Sequence, residues 1–199
     1  MNDAPLLKDP IKQFEDWLEK ATKKEINDPG AMALATSTPD GKPSVRMVLL
    51  KSVNDQGFKF HSNSGSQKGQ EIENNKQASL CFYWKSLRKQ IRVEGIIEII
   101  KDEEADKYFK TRPYNRKIGA WASAQSRELD SRKTLEDKIQ ELETQYPEGV
   151  DIPRPSDWIG YRLVPNIIEF WMDNPDRLHD RFVYTKNASG HWDIKRIYP

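Results

Sequence analysis

Residues 31–63, AMALATSTPDGKPSVRMVLLKSVNDQGFKFHSN, decide the fold. Ala31 to Thr38 alternates with a period of two and reads as a strand. Pro39-Asp40-Gly41-Lys42 is a tight turn, and Pro43 to Val53 is a second strand. Asn54-Asp55-Gln56-Gly57 turns again, and Phe58 to Asn63 is a third strand. These are hairpin signals in series. In the second strand Val45, Met47 and Leu49 share one face, while Arg46, Val48 and Leu50 share the other. Arg46 and Lys51 place a cation near each end of this apolar run. They either decorate a surface or frame a flat ligand lying across the strand.

Upstream, residues 1–8 read as a flexible lead-in. Asp9-Pro10 is a helix start, a cap residue followed by proline in the first turn. Ile11, Phe14, Leu18 and Ala21 follow at helical spacing with Trp17 beside them, so an amphipathic helix runs to about Asn27 and packs on the core.

Downstream, Asn63-Ser64-Gly65-Ser66-Gln67-Lys68-Gly69 opens a helix to about Asn75. Small residues at a helix start leave backbone N–H groups and hydroxyls free, and with Lys68 they form a candidate phosphate cradle. The spacing is not that of a Walker loop. Residues 77–84 and 88–101 are strands. Asp102-Glu103-Glu104 is the acidic first turn of a helix that carries Tyr108 and Arg112 four apart on one face. Residues 118–126 are small and polar around Trp121, and Ser126 sits in no hydrolase elbow. Ser131 to Tyr146 is a charged helix with Leu135, Ile139 and Leu142 inward, and Pro147 to Pro155 is a proline-rich loop. Trp158 to Met172 is a strand with a break at Pro165, and residues 181–186 and 191–197 form a closing hairpin. The expected fold is mainly β with inserted helices: six or seven antiparallel strands in a closed or partly open barrel, as a single domain over residues 1–199.

Composition narrows the partners. The 199 residues carry 32 basic and 31 acidic side chains, a net charge of +1. A general nucleic-acid or membrane-surface binder would show a basic excess, so neither is expected. One cysteine, Cys81, excludes a disulfide within the chain and reads as a buried thiol. No apolar run has the length of a membrane span and no signal peptide precedes Asp9, so a cytoplasmic protein is expected. His61, His179 and His191 are scattered, and no metal site is expected.

The most chemically dense stretch is Trp171-Met172-Asp173-Asn174-Pro175-Asp176-Arg177-Leu178-His179-Asp180-Arg181. If extended, Arg177, His179 and Arg181 project to one side, with Trp171 as a flat apolar wall. That is half of a pocket for a planar, phosphorylated ligand; the alternative is a solvated lattice of salt bridges. Arg46, Lys51, Lys68, Gln90, Arg112 and Gln125 supply further cationic and amide groups, enough for two phosphates and a polar ring edge.

These segments resemble the pyridoxine/pyridoxamine 5′-phosphate oxidase family. The matching pieces are Arg46 to Lys51, Asn63 to Lys68, Arg112-Pro113, Ile118 to Trp121, Gln125-Ser126, Ile168 to Trp171, Arg177 to Arg181 and the terminal Arg196 to Pro199. The Arg-Leu-His-Asp-Arg segment is the specific one, and the resemblance spans Asp9 to the C-terminus. It implies a split-barrel homodimer with FMN bound at the subunit interface. It implies flavin contacts from Arg46, Met47, Val48, Leu49, Leu50 and Lys51, from His61-Ser62 and Lys68, and from Gln90, Gln125, Ser126, Trp171 and Arg181. Implied substrate contacts are Lys51, Tyr108 and Arg112 on the phosphate, and Arg177, Leu178 and His179 over the pyridine ring, with Arg177 and His179 as the catalytic pair. The implied reaction takes pyridoxine 5′-phosphate or pyridoxamine 5′-phosphate to pyridoxal 5′-phosphate by hydride transfer from C4′ to flavin N5, with O2 reoxidising the flavin to give hydrogen peroxide. Three departures stand out. Gln67 replaces an arginine before the cradle lysine, Arg116 replaces a serine, and the family's upstream Arg-x-x-Tyr segment is not found. Two other readings of the same barrel are a non-catalytic flavin or pyridoxal-phosphate carrier and a nicotinamide-dependent flavin reductase.

Overall fold

Asp9 caps the first helix, α1 (Pro10–Lys24), its carboxylate accepting from the N–H groups of Ile11 at 2.9 Å and Lys12 at 3.3 Å. The computed structural model describes residues 6–199. Of the expected lead-in, residues 1–5 therefore lie outside the described residues, while Leu7 is tied down. Its carbonyl accepts from the Tyr184 hydroxyl at 2.7 Å, and its N–H donates to Gln13 at 2.9 Å. The helix ends at Lys24, three residues before the expected Asn27, and it is Trp17 rather than Leu18 that completes its buried stripe with Ile11, Phe14 and Ala21.

The strands are β1 (Ala31–Ser37), β2 (Pro43–Leu49), β3 (Ser52–Asn54), β4 (Gly57–Asn63), β5 (Gln77–Trp84), β6 (Lys89–Ile99), β7 (Trp158–Met172), β8 (Asp180–Lys186) and β9 (Trp192–Ile197). The helix α2 (Gln67–Asn74) follows β4, and α3 (Asp102–Lys110), α4 (Tyr114–Ala122) and α5 (Arg132–Gln145) lie between β6 and β7. All strand pairs are antiparallel, in the order β2-β1-β5-β6-β7-β4-β3, with β8 added to β7 and β9 to β8.

The described residues form nine strands: seven follow one another around the barrel, within the six or seven expected, and β8 and β9 are added at β7; the stretch 43–53, expected as one strand, is two. At Leu50 the chain still bonds to the β1 side, donating to Gly30 O at 2.8 Å; at Lys51 it donates to Lys59 O of β4 at 2.8 Å. The two end strands of the sheet order are thus consecutive in the chain. The barrel closes through the covalent step from Leu50 to Lys51, and not through a ladder of hydrogen bonds between β2 and β3.

The interior fills with Met32, Leu34, Phe58, Phe60, Leu80, Phe82, Ile91, Val93, Tyr161, Leu163, Ile168 and Phe170, all buried. α1 covers one opening: Phe14 packs edge-on against Phe58 and Phe82, each at 4.9 Å, and Trp17 against Phe170 at 5.1 Å. The expected break at Pro165 is a bulge inside a continuous strand. Gly95 pairs with Pro165 and Glu94 with Ile167, which leaves Asn166 as the extra residue. α4 and α5 form a small separate cluster around Ile118, Leu142 and Ile152; Leu135 and Ile139 are only half-buried. Among the described residues no helix is long and apolar enough to cross a membrane.

Candidate active site

Four cations gather where the barrel closes. Lys51 sits at the step from β2 to β3, Lys68 opens α2, and Arg112 and Arg116 lie just after α3 and in the first turn of α4. They line one cavity of about 390 Å³, together with Met47, Val48 and Leu49 of β2, His61 and Ser62 of β4, Tyr108 of α3, and Gln125. Thr111, Pro113 and Trp158 complete the wall. No carboxylate among the described residues lines it. A second space of about 490 Å³ shares His61, Ser62, Arg112, Arg116, Gln125 and Trp158, so the site extends along α4. A larger cavity, about 920 Å³, lies between α4, residues 123–129 and α5, but its charged lining is Arg127 and Lys138 against Glu128, Asp137, Glu141 and Asp157. That balance repels a phosphate, and of the expected contacts it holds only Gln125 and Ser126, the latter with a left-handed backbone at φ 69°.

Lys68 is buried at a helix start, where the macrodipole also opposes a positive charge. Its ammonium donates to Ser66 Oγ at 2.9 Å and Gln125 Oε1 at 2.7 Å. Burial, and then the charge of Arg46, lower its pKa to about 8, with Glu71 working in the other direction. The cradle itself differs from the expected one. The N–H groups of Ser64, Gly65 and Ser66 are spent on Asp157 O, Asn63 Oδ1 and Asn63 O. The loop folds on itself, and its anion chemistry is carried by the Lys68 side chain.

Arg46 shares a face with buried Leu34, its partner across β1 and β2. Its guanidinium donates to Thr36, to Ser44 Oγ at 2.5 Å and to Glu71 at 3.2 Å. Glu71 also accepts from Thr36 at 2.5 Å, Ser44 at 2.6 Å and Gln67 at 2.9 Å. Burial alone would raise the Glu71 pKa; the hydrogen bonds and Arg46 outweigh it and hold it at about 2. Arg46 is thus oriented by a permanent carboxylate and does not line the cavity, and Leu50 turns its side chain to the core.

Tyr108 and Arg112 are not on one helical face as expected, because α3 ends at Lys110. The break before Pro113 folds Arg112 back instead, its guanidinium 4.8 Å over the Trp158 ring and 5.4 Å over Phe109. Arg112 Nη1 is buried with no hydrogen-bond partner, and so are both ring nitrogens of His61. The His61 ring stacks on Tyr108 at 4.4 Å and on Trp158 at 4.6 Å. Burial, then Lys51 and Arg112, lower its pKa to about 4, against a smaller opposing pull from Glu104, so the ring is neutral. Buried polar atoms left unpaired are costly, so the cavity suits a ligand that offers them oxygens and a ring edge.

The remaining expected residues form a second group. Gln90 pairs with Trp171, and Trp171 with Arg181, in one row across β6, β7 and β8. Arg181 donates to Glu169 at 2.8 Å and to Tyr198 O at 3.2 Å. Arg177 and His179 are not aligned by strand alternation. Residues 175–177 form a 3-10 turn, with Asp176 at φ 59° and Arg177 at φ 62°. Two successive non-glycine residues in the left-handed region mark a held, strained turn that leaves Arg177 and Leu178 exposed. The Trp171 and His179 rings pack at 4.5 Å. None of these six residues lines the cavity of the first group.

Trp158, Glu71 and Thr111 were not marked by the sequence. Only Glu71 had a signal, its i, i+4 spacing from Gln67 on α2. Cys81 is half-buried on the outer face between Ala33 and Arg92, and burial pushes its thiol pKa up, away from nucleophile chemistry. Among the described residues no group of His, Cys, Asp or Glu is placed to hold a metal ion.

Comparison with known proteins gives the family and the fold. A family model described as pyridoxamine 5′-phosphate oxidase matches residues 18–146, and one described as the pyridoxine 5′-phosphate oxidase C-terminal dimerisation region matches residues 158–199. A protein of Mesorhizobium japonicum named pyridoxine/pyridoxamine 5′-phosphate oxidase is 53% identical over 191 residues, 96% of this chain and 93% of that one. The crystal structure of PhzG from Burkholderia lata 383, in complex with tetrahydrophenazine-1-carboxylic acid, superposes with a TM-score of 0.92 at 35% identity, covering 99% of this chain and 95% of that one. A pyridoxamine 5′-phosphate oxidase-related, FMN-binding protein from Nostoc punctiforme shares the fold, with a TM-score of 0.77 at 16% identity over 96% of this chain and 98% of its own.

Proposed function

The chain belongs to the pyridoxamine 5′-phosphate oxidase family, and from that premise we propose that it oxidises pyridoxine 5′-phosphate and pyridoxamine 5′-phosphate to pyridoxal 5′-phosphate as a homodimer. Its cofactor is FMN. The redox chemistry, acceptance of a hydride from C4′ of the substrate and reoxidation by O2 to give hydrogen peroxide, would be supplied by FMN when it is bound. The observation that carries the reading is the cavity with four cations, no carboxylate among the described residues, and unpaired buried nitrogens on Arg112 and His61. Two phosphates, one from cofactor and one from substrate, match that charge.

Lys68, with Arg46 behind it, would hold the cofactor phosphate, while Lys51, Tyr108 and Arg112 would hold the substrate phosphate. Ser62 and Gln125 offer hydrogen bonds at the same end, and His61, being neutral, can donate from one nitrogen and accept at the other. Gln90, Trp171, Arg177, His179 and Arg181 belong to the same site but not to the same cavity, so a second copy must bring them. The C-terminal match to a dimerisation region covers four of the five. Arg177 and His179 then close over the substrate ring and exclude water from it. The chain's work is position and charge.

The test is anaerobic. Pyridoxine 5′-phosphate is added to the FMN-loaded protein without oxygen, and the visible flavin band is followed. Bleaching that air reverses is the expected result. A flavin that stays oxidised with this substrate, but bleaches with a nicotinamide donor, would replace the proposal by a flavin reductase.

A further inference from the structure

The imidazole of His179 has two neighbours at one nitrogen. Nδ1 lies 3.1 Å from Asp173 Oδ1 and 3.2 Å from the backbone nitrogen of Asn174, whose N–H points at it. A neutral ring nitrogen either donates or accepts. Without a proton, Nδ1 keeps the hydrogen bond from Asn174, but its lone pair faces a carboxylate; with one, it lies within ion-pair distance of Asp173, off the hydrogen-bond line, and gives up the Asn174 bond. A charge-assisted bond is about twice as strong as a neutral one, so a small turn of the ring that completes the bond to Asp173 outweighs the lost bond from Asn174, whereas the other tautomer sets a lone pair against a carboxylate.

Asp173 is itself fixed. Its other oxygen is ion-paired with Arg88, and its N–H donates to Arg88 O at 3.1 Å. Asn174 holds the rest of the turn, donating from its side chain to Leu178 O at 3.2 Å and to Asp180 at 2.7 Å. Asp180 is paired with Arg196 of β9. The charged groups around the ring are therefore Asp173 in contact, Arg88 behind it, and the Asp180–Arg196 pair on the far side of the turn. Trp171 covers the ring at 4.5 Å.

We infer that Asp173 is a positioning residue that sets the tautomer of His179: it keeps the proton on Nδ1 and leaves Nε2 as a hydrogen-bond acceptor. The acceptor faces the substrate ring and takes a hydrogen bond from a donor on it; this last step rests on the function proposed above. The tautomer itself does not depend on that function.

The test is the nitrogen-15 spectrum of histidine-labelled, FMN-loaded protein, recorded where the ring is neutral. The chain has three histidines, and the His179 signals are assigned by their loss in His179→Gln. The expected result is a protonated Nδ1 and an unprotonated Nε2. Asp173→Asn keeps the shape but removes the charge, which leaves the Asn174 N–H to decide at Nδ1, so it should reverse the pattern and lower kcat by at least about tenfold. A wild-type ring protonated at Nε2, or an unchanged pattern in Asp173→Asn, would overturn the inference. The wild-type spectrum decides even if the variant does not fold. A reversed tautomer with unchanged turnover would uphold Asp173 as the tautomer-setting residue and remove His179 from the proposed reaction.

Discussion

Lys68 shows how a single residue can be read from sequence and still surprise. Its type and its place at a helix start nominated it for phosphate, but its burial was not visible, and burial gives it a pKa of about 8. A bound phosphate favours the protonated ammonium, so FMN affinity should hold below pH 8 and weaken as pH rises through it. Stability of the free protein moves the opposite way. The folded pKa lies below the ordinary lysine value, so folding is penalised while Lys68 is charged and the penalty fades between about pH 8 and 10. Titrating FMN into wild type and Lys68→Met across that range checks the first claim: the wild-type Kd should rise and the weaker variant's should stay flat. Arg112 was legible in the same way, as a cation in the right segment. Trp158 and Glu71 were not, because their roles come from partners brought close by tertiary packing. Glu71 looks like any helical glutamate until Thr36, Ser44 and Arg46 are seen around it.

At the scale of elements, strands and turns were legible because hydrophobic alternation and the Asp-Gly and Gln-Gly turns are local signals. Helix ends and partner changes were not. Nothing local in Leu49-Leu50-Lys51 tells that the chain leaves β1 for β4, since that depends on how the ring closes. The end of α3 before Pro113 was missed although proline gives a local reason for it. The start of α2 has its own constraint. A Cβ at Gly69 would lie 2.2 Å from the Ser64 carbonyl oxygen, so this turn of helix packs directly on backbone. Gly69→Ala should cost about 2 kcal/mol or more and, by shifting Lys68, weaken FMN binding. Denaturant unfolding together with an FMN titration measures both; an alanine variant that keeps both values would mean the loop has slack that the packing does not show.

At the scale of the whole molecule, the expected site residues other than Arg46, Leu50 and Ser126 fall into a cavity group and a row group that one chain does not join. Arg112→Ala and Arg177→Ala should each cut turnover by about a hundredfold, and Arg177→Ala should leave FMN bound. Mixed and reassembled in equal amounts, they should recover about a quarter of wild-type activity, because half the dimers are mixed and each carries one intact site. No recovery despite exchange of subunits would place both groups in one chain's site. The bulge at Asn166 bears on this division. Before it, the inward residues of β7 are odd-numbered, Tyr161 and Leu163; after it they are even-numbered, Ile168 and Phe170, while β6 keeps one parity throughout. Asn166 therefore acts as a frame shift written into one strand: it selects which half of residues 167–172 faces into the barrel and which faces out, and so puts Trp171 and Glu169, the latter buried beneath Arg92 and Arg181, on the outer face. In the currency of inheritance, losing this one codon would turn the strand inside out, whereas losing two would only shorten it, so sequences descended from this one should vary in length here by even steps or not at all.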